Sequence, residues 1–208
     1  MSYPKFFDEV KSIKLQDPLA QVLGAFENGE YEVSYLEVVK SAGHSCPTVA
    51  GAYLMTQAAL DTLYGKSRAV RGDIKVEFAE PLEEGVAGVI GNVISQITGA
   101  TDKSGFKGLG GKFARHSLMH FNAQISSSAR FTRVDTLESV DVFYDHSQMP
   151  GNPEMMPLMQ KIMQGVASAE EREKFGTLWQ ERVEKIFQNT DKVVKVQEVH
   201  KENLCRTK

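Results

Sequence analysis

The densest group of reactive side chains in this sequence is Gly43-His44-Ser45-Cys46-Pro47. In an extended segment alternate side chains share a face, so His44 and Cys46 can both point into one site. Pro47 suits the first turn of a helix. The residues after it, including Val49, Ala52, Tyr53, Leu60, Leu63 and Tyr64, predict a buried helix that ends at Gly65, with Cys46 at its N-terminal end. A sulfur placed there faces unpaired backbone amides and the positive end of the helix dipole. Thiolate and neutral imidazole together are ligands for zinc or another divalent transition metal. A thiol in that place also suits redox or covalent chemistry without a metal. The plain alternative makes Cys46 a small buried apolar residue and His44 the cap of a turn.

Two further histidines bear on a metal. His116 and His120 are four apart, hence on one face of a strand or a helix. Either could bring a nitrogen to His44 and Cys46, and an exposed polar stripe is the other reading. His146, beside Asp145, is assigned to a surface turn, and His200 to the tail. Between Thr98 and Lys112 lies a loop with Gly99, Gly105, Gly108, Gly110 and Gly111. It is not a phosphate-binding P-loop, because Phe113 follows Gly111-Lys112 where that motif needs Ser or Thr. A substrate-contacting lid remains open to it, with Lys112 as a candidate catalytic cation and Arg115 beside it for a small anionic ligand; so does a simple long connection.

The elements that must position these residues follow from periodicity. Phe6, Phe7, Val10 and Ile13 have helical spacing, and Asp17-Pro18 has the form of a helix cap. Asn28-Gly29 lies between the apolar runs 22–26 and 31–35, which predicts a hairpin. Strands are expected over 72–78, around Val86 to Ile90, over 117–123, 129–134 and 140–144, with a short helix from Val93 to Gly99. From Pro150 the pattern turns helical: a methionine-rich stripe from Met155 to Val166, then a Ser168-to-Glu171 capping box opening a long amphipathic helix through Trp179 and Phe187. Residues 193–199 alternate as a final strand. The predicted class is α+β, a mixed β-sheet flanked by helices, with a core over 1–150 and a helical C-terminal extension over 151–208 packed on it.

Composition narrows the function classes. The chain has 208 residues, enough to bury a core without staples, and its 2 cysteines, Cys46 and Cys205, make neither a disulfide framework nor a four-cysteine zinc finger. Lys and Arg number 24 against 27 Asp and Glu, a net charge of -3 that argues against a nucleic-acid surface. No stretch is long and apolar enough to span a bilayer, and residues 1–17 lack the apolar core of a signal peptide, so no membrane partner and a cytoplasmic location are expected.

The segment Ala42-Gly43-His44-Ser45-Cys46-Pro47-Thr48-Val49-Ala50-Gly51-Ala52-Tyr53 resembles the FmdE-like family, proteins associated with formylmethanofuran dehydrogenase, whose hallmark is Gly-His-x-Cys-Pro running into a helix. Thr98-Gly99-Ala100-Thr101, Gly111-Lys112 and Ala167-Ser168-Ala169-Glu170-Glu171 are similar to further family features, and the likeness spans Asp17 to Asn189. The resemblance implies an α+β core, a homodimer and a metal site, zinc first among the candidates, at His44 and Cys46. It implies a setting in one-carbon or molybdenum or tungsten redox metabolism, as a metal-dependent protein with a small-ligand pocket or as an accessory subunit or metal carrier beside a redox enzyme. Many relatives carry further Cys or Asp where this chain has Val89, Asn92 and Ala100, so His116 and His120 are the expected replacement ligands.

Overall fold

The computed structural model describes residues 2–199. Cys205 and His200 lie outside them. A 3-10 turn, Lys5–Asp8, buries Phe6 and Phe7. It is followed by β1 (Ile13–Gln16), α1 (Pro18–Val22), β2 (Glu30–Val33), α2 (Tyr35–Ala42) and α3 (Pro47–Tyr64). Then come β3 (Ala69–Val70), β4 (Ile74–Glu77), α4 (Ala87–Thr98), β5 (Met119–His120), β6 (Ala129–Arg133) and β7 (Ser139–Tyr144). The last described elements are α5 (Met155–Met163), α6 (Ala169–Gln188), α7 (Thr190–Val193) and β8 (Val194–Val199). The strands form two mixed sheets, one ordered β2-β1-β3 and the other β5-β4-β6-β7-β8. The α+β class is as the sequence predicts.

Helix α3 is the centre of the molecule. It packs on α2, α4 and α6 and on the face of β6, β7 and β8. Most of its residues are buried, which is why its sequence shows apolar and small residues on every side rather than one stripe. Both ends are marked as expected, by Pro47 in the first turn and Gly65 at positive φ. The helix α6 begins at a capping box in which Ser168 and Glu171 satisfy each other's backbone amides.

Several local expectations change. The spacing of Phe6, Phe7, Val10 and Ile13 is not a helix: after the 3-10 turn, Ile13 starts β1, paired antiparallel to β2 and parallel to β3. Tertiary pairing outweighs a short helical pattern here. Asn28 and Gly29 do turn the chain with φ of 53° and 69°. The turn nevertheless joins α1 to β2, and β2 takes β1 as its partner instead of residues 22–26. Val86 to Ile90 is not a strand, because Ala87, Gly91, Ile94 and Thr98 are buried at helical spacing on α4, which runs through it. Of 117–123 only Met119 and His120 pair, parallel to β4. Strand β8 lies beside β7 at the edge of the larger sheet, with all six residues in register from Ser139↔Val199 to Tyr144↔Val194.

Candidate metal and thiol site

The segment from Ala42 to Pro47 links two helices. Helix α2 ends at Gly43 with φ 77°, a left-handed cap that glycine adopts without steric cost. The backbone is extended again at Cys46, the N-cap of α3, whose Sγ accepts the Val49 N–H at 3.4 Å. Cys46 is a partly buried free thiol. His44 is exposed, and its Nδ1–H donates to the Ala42 carbonyl at 3.0 Å. In a neutral ring that bond leaves the lone pair on Nε2, the tautomer a metal-ligating imidazole needs.

Ser45, between them, is the anchor. Its side chain is buried and shares a 2.8 Å hydrogen bond with the Tyr35 hydroxyl. Its carbonyl accepts from Trp179 Nε1–H at 2.9 Å and from Gln180 Nε2–H at 3.2 Å. Behind it Phe6, Phe7, Tyr35, Tyr53 and Phe187 stack edge-on or tilted. A residue with no ligating chemistry of its own thereby anchors the loop that carries His44 and Cys46.

Tyr144 holds the first turn of α3 from the sheet side. Its hydroxyl donates to the Pro47 carbonyl at 2.7 Å, and its ring lies against Gly51, where a Cβ would come within 2.2 Å of Cε1. His146 stacks on that ring at 5.3 Å. Burial, with the Arg182 charge adding, pushes the His146 pKa below its ordinary value against the opposing pull of Asp145, which favours the neutral ring. Thr48, Tyr144, His146, Glu80 and Ser126 to Ser128 line a cavity of about 380 Å³ that begins two residues beyond Cys46.

The remaining predicted site residues sit elsewhere. His116 Nδ1 is 3.0 Å from Ser117 Oγ, and exposed His120 donates Nε2–H to the Ser117 carbonyl at 3.1 Å. Among the described residues no three His, Cys, Asp or Glu side chains are grouped to hold a metal, so the four-residue set of His44, Cys46, His116 and His120 is not assembled. Lys112 is exposed and lines another cavity with Arg115. The sequence does not single out Ser45 or Tyr144, places His146 in a surface turn, and gives Trp179 only the helical spacing of a core or dimer contact. The one local signal was Gly51, a glycine inside an otherwise strong helical pattern, which marks close approach of another group.

The elements and the motif together define an α+β protein whose Gly-His-x-Cys-Pro loop is pinned at the N-terminus of a central buried helix. The chain belongs to the FmdE family, described as FmdE, molybdenum formylmethanofuran dehydrogenase operon; the family model matches residues 42–195. The match runs from the last residue of α2 into β8, so it takes in the motif, Tyr144 and Trp179 alike. No curated protein matches the chain. No described helix is long and apolar enough to cross a membrane.

Proposed function

We propose that the protein binds a divalent transition metal, zinc foremost, through His44 Nε2 and Cys46 Sγ, and takes a small ligand into the neighbouring cavity. The carrying observation is the His44 Nδ1–H bond to Ala42, an outer contact of the kind that sets the ring of a ligating histidine. Two protein ligands leave coordination positions open, which suits a catalytic or exchanging site rather than a closed structural one. A bound divalent ion supplies Lewis acidity toward a carbonyl or a water. On the protein side, Tyr144 is committed to Pro47 and Ser127 to Asp141, so His146 and the Glu80 carboxylate are the bases on the wall that can accept a proton from a ligand in the cavity. The test is metal content of protein purified without added metal. His44→Ala and Cys46→Ala should each lose most of it, and unchanged content in both variants would overturn the reading.

The exposure of His44 favours one second reading, a metal carrier or accessory subunit for a molybdenum or tungsten enzyme of one-carbon metabolism. The family description, which points to an operon rather than a reaction, is consistent with it. Rapid loss of bound zinc to a chromogenic chelator supports the carrier; slow loss supports a resident metal. In either case the exposed apolar side chains Met156, Met163 and Val166 support pairing of two copies.

A further inference from the structure

A second site, sharing no lining residue with the cavity near Cys46, surrounds Arg115. This residue is only 6% exposed, yet among the described residues its Nε and Nη1 have no hydrogen-bond partner. Its Nη2 donates to Asp17 Oδ1 at 2.6 Å. Asp17 is already engaged on both oxygens: Oδ1 also accepts from the Leu19 and Ala20 amides, and Oδ2 accepts from Arg71 Nη1 at 3.3 Å. Burial alone would raise the Asp17 pKa, but Arg115, the Ala20 amide and Arg71 outweigh it and hold the carboxyl below its ordinary value. Two guanidinium groups therefore share one buried carboxylate; with exposed Asp73 and Lys112 also counted around the cavity, one positive charge is left over.

The backbone around Arg115 is bare. Gly72 and Gly99 both have positive φ, and a Cβ on them would fall 3.4 Å from Arg115 Nε and 2.5 Å from Nη1. Arg115, Arg71 and exposed Lys112 line a cavity of about 390 Å³, with Asp73 and Phe113 on its wall. Phe113 has φ 63°, a conformation that costs a non-glycine residue energy. Unpaired N–H groups on a buried charge are costly to leave unsatisfied, and the acceptors that suit a guanidinium best are the oxygens of an anion.

Arg71 is tied to the Ile97 and Gln96 carbonyls as well as to Asp17 and contributes its charge. We propose that this cavity is a binding site for a small oxyanion, a phosphate group or a carboxylate, held by the unpaired N–H groups of Arg115 with Arg71 beside it and Lys112 at the mouth. The site is independent of the metal reading. Calorimetric titration of the full chain with inorganic phosphate and, separately, with succinate, against chloride of matched ionic strength, tests it. Saturable binding of phosphate alone makes the ligand a phosphate group, and binding of succinate alone makes it a carboxylate. Lys112→Glu, an exposed loop change that leaves the core untouched, should weaken binding about tenfold. Lys103→Glu in the same loop but outside the cavity should not, and Cys46→Ala should bind as the unaltered protein does. Arg115→Lys, checked for folding by circular dichroism, should abolish binding while the Asp17 pair is kept. No binding of either anion, or equal weakening by Lys112→Glu and Lys103→Glu, overturns the assignment.

Discussion

Gly51 shows how one missing side chain decides the position of another. In an exposed helix, alanine would be favoured over glycine by about 1 kcal/mol. Here a Cβ would enter the Tyr144 ring, and overpacking of that kind costs about 1–3 kcal/mol. Gly51→Ala should therefore lower stability in urea denaturation, while in a Tyr144→Ala background the same change should raise it by about 1 kcal/mol. Equal effects in both backgrounds would separate the two residues. The pair also shows the limit of reading a sequence. His44 and Cys46 stand out because they are close together and reactive, whereas Tyr144 meets Pro47 across 97 positions and leaves only a glycine as its trace.

Helices with distinct punctuation were legible, and contacts between helices were not. Pro47 and Gly65 delimit α3, and the Ser168-to-Glu171 box marks the start of α6, within a residue of where they lie. Helix α4 escaped because its apolar residues are crowded enough to fit a strand at its start and a helix at its end. The role of α6 was equally hidden, since the Trp179 bond to Ser45 spans 134 positions and the spacing of Trp179 alone says only that it faces inward. Trp179→Phe keeps an aromatic ring and removes the N–H, leaving the Ser45 carbonyl with Gln180. The loss should be about 1 kcal/mol in global stability, together with faster alkylation of Cys46 by iodoacetamide as the loop loosens. An unchanged alkylation rate would show that α6 does not hold the loop in place.

At the scale of the whole molecule, Met156, Met163 and Val166 leave an apolar strip on one side of α5 and the turn after it. Two copies joined there should elute at twice the mass of one chain in light-scattering chromatography, and Met156→Glu with Met163→Glu should give monomers with an unchanged circular dichroism spectrum. A monomer before mutation would rule out the dimer. The main sheet carries another consequence. Strand β7 is followed by about fifty residues of turns and helices before β8 arrives to cover its free edge. Synthesis runs from the N-terminus at ~5–20 residues per second, so that edge stays open for roughly 3–10 seconds on every ribosome. During that interval its unpaired amides and carbonyls are a template for any other extended chain, and neighbouring nascent copies on one messenger are the chains most able to use it.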